Sequence, residues 1–499
     1  MAKNKFYITT AIPYINAKPH IGHAMEFIEA DVIARYRRLM GDDVWFLTGT
    51  DDNSLKNVKA AEEKGISVSD LVNRNAKLFL NLTQSLNISN DDFIRTIEKR
   101  HFNGVQKIWK ACEKDIYKKK YKGLYCVGCE EFKKENELIF EEKKEGKKIG
   151  YGCCPEHPED KLEVVEEENY FFKLSRYQDK LEKIIKNDEY KIIPETRKNE
   201  VLSFIRQGLE DFSISRSKER AHGWGIPVPE DKNQVIYVWF DALTNYITAL
   251  NYASDQRLFK KYWPADTHLI GKGILKFHAV YWPAMLLSAG IELPKQLSVH
   301  GYITVGGQKM SKSLGNVIDP QDLVKKYGTD PVRYFLLREF PFGQDGDFSL
   351  KRFEERYNSD LANDLGNLTQ RVVTMISKYL KGKLPAFYIK KIEKRDLSSS
   401  ISQISKISTL IENLKFDEAL ASIWFLVSCA NQLIDYKKPF ALENKKEVEK
   451  ILSDLVNYLL DIAFFLEPFM PETSKKITKI FSAPKIKPQK PLFPRIYHG

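Results

Sequence analysis

The apolar positions of the first part of the chain fall alternately at strand spacing and at helix spacing. Residues 6–12 form a short β-rich run that ends at Pro13. Residues 20–39 place Ala24, Phe27, Ile28, Ile33 and Leu39 at helical spacing, with Arg35, Arg37 and Arg38 near the end and Gly41 as a stop. Residues 44–47 are a second apolar run, closed by Thr48-Gly49-Thr50-Asp51. Strand and helix in alternation predict an α/β fold built on a doubly wound sheet. From about Tyr117 the texture turns Lys/Glu-rich, which reads as an insertion lasting to about Ala221. Strand-like runs return at 235–239, 268–271 and 297–301, and beyond about Lys351 the pattern is helical. There, residues 357–380 set Leu361, Leu365, Leu368, Val372, Ile376 and Tyr379 on one stripe. A basic tail with Pro484, Pro488, Pro491 and Pro494 is expected to be weakly ordered. The predicted division is 1–116 and 222–302 for the two halves of the α/β domain, 117–221 for the insertion, 303–356 for a linking segment and 357–499 for a helical domain.

Composition narrows the class. The 499 residues suffice for about three domains of ~150 residues. At 43% hydrophobic and 12% aromatic, the chain can build large cores and lies far from disordered compositions. Its formal net charge of +11 suits a polyanion such as RNA, and equally a Lys-rich proteome. No signal-peptide core precedes the first strand, and the apolar segment around 459–470 is broken by Asp461 and Glu467. A soluble cytoplasmic protein with no membrane partner is the expectation. Among the 6 cysteines, Cys112 and Cys429 stand alone, whereas Cys126, Cys129, Cys153 and Cys154 cluster as a metal site would.

Two segments point to a nucleotide. In Pro19-His20-Ile21-Gly22-His23, a strand-to-helix junction opens with histidines at i and i+3, a spacing that puts both imidazoles on one helix face. Free N–H groups and the dipole at such an N-terminus favour phosphate. Gly22 leaves room for adenine and ribose against the backbone. Two ordinary histidines would satisfy the same pattern. The second segment, Gln308-Lys309-Met310-Ser311-Lys312-Ser313-Leu314-Gly315-Asn316, sets two lysines on a Gly/Ser-rich loop after Gly306-Gly307, a cationic clamp for a triphosphate or a solvated basic turn. No Walker A or G-x-G-x-x-G pattern occurs.

The HIGH element at 20–23, followed by KMSKS at 309–313, resembles the class I aminoacyl-tRNA synthetases. The resemblance implies ATP with Mg²⁺ as counter-ion, and in-line attack of an amino-acid carboxylate on the α-phosphorus, catalysed by positioning and charge neutralisation. His20 and His23 would stabilise the pentavalent phosphate, and Lys309 and Lys312 the departing pyrophosphate. Gly22, Glu26, Gly271, Lys272, Ser311 and Ser313 would complete the ATP site. Three further strings, 11–14, 238–246 and 277–285, resemble the methionyl members. Tyr14, Trp239, Tyr246, Phe277 and Trp282 would then line an aromatic pocket for a thioether, each contact giving about 0.3–1.5 kcal/mol. Ile12, Ala242 and Leu243 would complete the wall, His278 and Tyr246 would supply polar discrimination, and Asp51 would take the substrate ammonium. Each aromatic alone would ordinarily be read as core.

The sequence departs from that family at two places. Gly49-Thr50-Asp51-Asp52-Asn53-Ser54 stands where Gly-Thr-Asp-Glu-His-Gly is usual, and Gly271-Lys272-Gly273 where Gly-Lys-Asp is frequent.

Cys126-Val127-Gly128-Cys129 and Cys154-Pro155-Glu156-His157, with residues 130–153 between them, pair a CxxC with a CxxH. Short chelating turns of this kind suit one structural, tetrahedral Zn²⁺ held by three thiolates and an imidazole. A redox pair or a decayed site are the alternatives, and Cys153 with Glu156 is the other register. In the helical part, Asn363, Asn367 and Arg371 step by four. An Asn and an Arg one turn apart can bond to base edges while an aromatic stacks on a splayed base. The methionyl resemblance implies that Asn367, Arg371 and Phe440, after Pro439, read the anticodon of methionine tRNA, the initiator included. Phe440 stands where Trp is usual.

The expected architecture is thus a Rossmann-like class I catalytic domain with a zinc-knuckle insertion, followed by an α-helical bundle that binds the anticodon, active as a monomer. A leucyl, valyl or cysteinyl relative is the alternative enzyme, and a zinc-containing RNA-binding protein the alternative of another class.

Overall fold

The computed structural model describes residues 3–126, 131–133, 138–139, 152–155, 161–310, 315–385 and 401–497. In chain order, β1 (Lys5–Thr10), α1 (Ile21–Leu39), β2 (Asp43–Thr50) and β3 (Asp92–Arg95) form the first half of the core. The insertion follows with β4 (Ile116–Cys126), β5 (Glu131–Lys133) and β6 (Glu163–Phe172), after which β7 (Lys191–Ile193) returns to the core. The central sheet is parallel, in the order β3-β2-β1, then strands Thr267–Gly271 and Gln296–His300, then β7. From β1 the chain winds to β2 on one side and later to Thr267–Gly271 on the other. The crevice at the carboxyl end of β1 is therefore the switch point, where open α/β sheets bind their ligands.

Three expectations for the α/β part need correction. Apolar run 6–12 leaves the sheet at Thr10, and residues 11–14 become the crevice wall instead. Residues 238–239, read as strand, begin the helix Val238–Leu243, all six of whose residues are buried. A short run apolar on every side carries no period that separates strand from helix. Residues 117–221 are also not one insertion, because β7 inside them pairs with Gln296–His300 through Ile192 and Leu297. Three residues are too few to register as a strand in the sequence.

The Lys/Glu texture of the insertion has a simple cause. β4 and β6 form a long antiparallel ribbon in which Lys120 and Lys122 face Glu168 and Glu166, while Lys118 and Lys119 face Tyr170 and Asn169. Cross-strand pairs such as Lys118–Glu168 at 3.5 Å and Lys122–Glu166 at 3.6 Å balance an exposed two-stranded arm.

The C-terminal helices Asn367–Tyr379, Ile401–Glu412, Phe416–Lys437, Lys445–Leu466 and Pro471–Phe481 bury the stripe Leu361, Leu365, Leu368, Val372 and Ile376. They are fixed to the core by Arg333, which is fully buried. Its guanidinium meets Asp31 of α1 at 2.8 Å and donates to the carbonyls of Leu86, Pro468 and Phe469. Asp31 also takes Arg35 at 2.7 Å, and although burial opposes its ionisation, the two guanidiniums hold its pKa below the usual value. Leaving either partner of such a pair alone would be costly. The basic tail is ordered, contrary to expectation. Ile486 and Phe493 are buried, Asn358 exchanges two hydrogen bonds with the backbone of Ile496, and Arg495 donates to Asn363 at 2.7 Å. Among the described residues, no helix is long and apolar enough to cross a membrane.

Candidate active site

The carboxyl ends of β1, β2 and the strands Thr267–Gly271 and Gln296–His300 surround a cavity of about 390 Å³ into which the N-terminus of α1 opens. His20 is not inside the helix but caps it, in extended backbone at φ −129°. Its Nδ1 accepts from the Gly22 N–H at 3.1 Å, and the Nδ1 of His23 accepts from the His20 N–H at 3.1 Å. The rings stack with centroids 3.8 Å apart. Because each Nδ1 is an acceptor, each ring carries its proton on Nε2. Burial holds the His20 pKa down at about 4 and His23 well below its usual value, so both are neutral donors near pH 7. The reading of Gly22 changes accordingly. A Cβ there would lie 3.0 Å from Cε1 of His20, so the missing side chain makes room for the capping imidazole.

Beneath the histidines lies a charged layer. Glu26 accepts from the Ala11 N–H at 2.8 Å and from Nε2 of His300 at 2.9 Å, while Nδ1 of His300 donates to the Gly301 carbonyl at 2.7 Å. Both ring nitrogens of His300 thus face acceptors. Burial disfavours the imidazolium, but the Glu26 hydrogen bond and the nearby carboxylates outweigh it and set the pKa at about 9. Glu29, on the next turn, is fully buried and pushed up to about 8 by desolvation, so it is largely protonated at neutral pH.

The opposite end of the cavity is aromatic. Asp51 sits at its edge, held beside Tyr14 by an isolated parallel bridge and by its own N–H on the Pro13 carbonyl at 2.9 Å. Its Oδ1 accepts from the Asn53 N–H at 3.0 Å. Tyr14 meets Trp239 edge to face at 6.1 Å. Nδ1 of His278 donates to the Ile274 carbonyl at 3.0 Å, which leaves Nε2 to accept the Tyr246 hydroxyl at 2.7 Å. Burial keeps His278 neutral, with a pKa near 4. His278 and the Tyr246 hydroxyl therefore satisfy each other, while the buried Trp239 Nε1 has no hydrogen-bond partner among the described residues, and the ring surfaces suit an apolar, polarisable group.

Ile12, Tyr14, His20, Gly22, His23, Glu26, Asp51, Trp239, Ala242, Leu243, Tyr246, Gly271, His278 and Lys309 all line this one cavity. Three expected residues do not. Phe277 stacks behind Trp239 with centroids 3.8 Å apart, and Trp282 lies behind Tyr246, 6.0 Å away, donating to His268. Both occupy the layer supporting the wall because a π-helical turn at Phe277–Tyr281 directs His278 inward in their place. Lys272 turns to Asp345 at 2.5 Å and borders an adjoining cleft. Ser311, Lys312 and Ser313 lie outside the described residues.

Asn245, Ile274, His300 and Tyr302 line the cavity without having been expected there. Their signal was position: His300 and Tyr302 follow directly from a parallel strand's carboxyl end. Gly273 explains Tyr302, because a Cβ at 273 would fall 2.0 Å from the tyrosine hydroxyl. Lys272 and Lys309 approach the Tyr302 ring at 4.6 and 5.5 Å. A phenol thus fills the space beside 273 where the resembled pattern carries a carboxylate.

Two expected sites lie elsewhere. Cys126 and Cys154 are buried, whereas Cys153 is partly exposed with its thiol toward the Ile139 carbonyl; Cys129 and His157 lie outside the described residues. In the helical domain Asn367 is exposed, Arg371 pairs with Asp435 at 2.7 Å, and Phe440 is 52% exposed at the short turn Pro439–Ala441.

Residues 6–373 match the family described as tRNA synthetases class I (M). The methionine–tRNA ligase of Brucella melitensis is 45% identical, covering 98% of this chain and 94% of its own. That of Thermotoga maritima is 44% identical over 95% of this chain and 74% of its own. Among solved structures, Mycobacterium tuberculosis methionyl-tRNA synthetase in complex with methionyl-adenylate superposes with a TM-score of 0.87 at 39% identity, covering 98% of both chains. The chain belongs to the methionyl group of the class I aminoacyl-tRNA synthetases.

Proposed function

We propose that this protein activates L-methionine with ATP and transfers it to the 3′-terminal adenosine of methionine tRNA. The observation that carries the reading is that one cavity holds neutral imidazole donors and Lys309 at one end and, at the other, an aromatic wall in which His278 and the Tyr246 hydroxyl satisfy each other, with Asp51 at its edge. In the first step the methionine carboxylate oxygen attacks the α-phosphorus, forming one P–O bond while the bond to the β-phosphate oxygen breaks. Methionyl-adenylate and pyrophosphate result. Nε2–H of His20 and of His23 would donate to the phosphate as it becomes pentavalent, and Lys309 with Lys312 would take charge on the leaving pyrophosphate. Gly22, Gly271, Ser311 and Ser313 would border the nucleotide. Asp51 would accept the substrate ammonium, while Ile12, Tyr14, Trp239, Ala242, Leu243 and Tyr246 surround the thioether. The tRNA hydroxyl then attacks the carbonyl carbon, and AMP leaves.

Mg²⁺ would neutralise triphosphate charge. Glu26 is engaged by Ala11 and His300, and Asp51 by Asn53, so the phosphates rather than these carboxylates would hold the ion. Zinc fits the insertion, where Cys126, Cys129, Cys154 and His157 would bind it. The burial of Cys154 supports that register over Cys153. Asn367, Arg371 and Phe440 would read the anticodon of elongator and initiator tRNA. The working form would be a monomer in the cytoplasm. Charging of methionine tRNA with labelled methionine tests the proposal. Acid-stable label on tRNA supports it, and label absent with methionine but present with another amino acid defeats it.

A further inference from the structure

Asp51 and the helix Val238–Leu243 reach the cavity from different parts of the chain, β2 and the segment after the insertion. A buried polar chain joins them. The Asn53 backbone N–H donates to Oδ1 of Asp51 at 3.0 Å, and its side-chain Nδ2 donates to Oδ2 of Asp241 at 2.7 Å and to the Thr96 carbonyl at 3.2 Å. Oδ1 of Asp241 meets Nε2 of His101 at 2.5 Å, and Nδ1 of His101 meets the Thr248 hydroxyl at 2.8 Å. Asp241, His101 and Thr248 are fully buried and Asn53 nearly so. Asp241 lies one residue from Ala242 and two from Trp239 and Leu243, all of which line the cavity.

A buried carboxylate has to be met by donors, so Asp241 fixes the side chains on both sides of it. Asn53 is the one of those donors that also belongs to the Asp51 loop. We infer that Asn53 is a positioning residue, which locks the carboxylate at position 51 to the aromatic wall so that the amino acid's ammonium and side chain are bound in one fixed spacing. Movement of the loop relative to the helix would separate the two anchors of the same substrate. The nucleotide end, on α1 and the strand Gln296–His300, lies outside this chain of bonds. The inference rests on the proposed methionine activation.

The test is an exchange of partners, read in methionine-dependent ATP–pyrophosphate exchange. Asn53→Asp sets a carboxylate against Asp241 and should raise KM for methionine about tenfold or more, with KM for ATP within about twofold. The double variant Asn53→Asp/Asp241→Asn restores the bond with roles exchanged, since the new amide at 241 donates to 53 and its oxygen accepts from His101. It should recover at least half of the lost affinity on a logarithmic scale, short of the parent because the carboxylate at 53 cannot donate to the Thr96 carbonyl as the amide does. Asn53→Ser, which deletes the amide without adding charge, should raise the same constant by a smaller factor and serves if Asn53→Asp fails to fold. The inference is overturned if Asn53→Ser leaves KM for methionine unchanged, if the double variant is as impaired as Asn53→Asp, or if methionine and ATP constants rise together. A parent protein that gives no exchange with methionine would instead defeat the proposed function, before any variant is compared.

Discussion

His20 and His23 cap one another: each ring's Nδ1 holds a backbone N–H at 3.1 Å, and the rings stack at 3.8 Å. The cap orients the rings and fixes their tautomers, so both Nε2 protons are available to a phosphate. His20→Asn keeps an oxygen that can cap Gly22, whereas His20→Ala loses cap and donor together. The Asn variant should retain stability and lose adenylation rate, by roughly a hundredfold if it loses one oriented donor. The Ala variant should lose a similar rate and about 1 kcal/mol of stability besides. Denaturation curves beside exchange rates check the split, and parallel losses of both quantities in the Asn variant would contradict it.

Glu29 gives a pH-dependent prediction. Its folded pKa of about 8 lies above the ordinary 4.5, because it is buried, and its Oε2 has no hydrogen-bond partner among the described residues. Unfolding therefore releases a proton between those values. The group costs nothing below pH 4.5 and progressively more as pH rises towards 8. Glu29→Gln should raise the melting temperature at pH 8, where roughly 4 kcal/mol is at stake, and leave it unchanged near pH 4.5. A shift of equal size at both values would mean that the effect is packing.

Phe277 supports Trp239 from behind. Phe277→Leu should loosen that ring, raise KM for methionine several-fold and leave KM for ATP unchanged. Phe277→Ala should in addition destabilise the fold by about 3–5 kcal/mol. Steady-state exchange kinetics with each substrate varied in turn decide it.

The sequence made the α/β plan legible through periodicity, and α1 lies within one residue of the expected start because His20 ends one pattern and begins the next. The cavity residues were legible mainly through resemblance. Periodicity could not tell Trp239 from Phe277 as lining and support, since both are buried aromatics and their order is set by a π-helical turn. β7 was hidden by its length, and Tyr302 by its dependence on an absent side chain at Gly273. The ordered tail was missed because Ile486 and Phe493 are isolated apolar positions whose partners lie more than a hundred residues earlier.

Phe440 is half exposed, so its truncation leaves no core cavity. If it stacks on an anticodon base, Phe440→Ala should remove about 1–3 kcal/mol of tRNA interaction, or roughly tenfold to a hundredfold in charging efficiency. Exchange without tRNA should be unaffected, and Phe440→Trp should charge at least as well as the parent. Equal losses in exchange and charging would mark the residue as structural.

One cavity joins the N-terminus of α1, open to a phosphate, to an aromatic pocket suited to a thioether. ATP–pyrophosphate exchange measured with each of the twenty amino acids tests it most directly, in the absence of tRNA. Methionine should support exchange with kcat/KM on the order of a hundredfold above leucine or valine, the discrimination available to a closely fitted apolar pocket. Exchange driven equally by leucine, or by no amino acid at all, would contradict it.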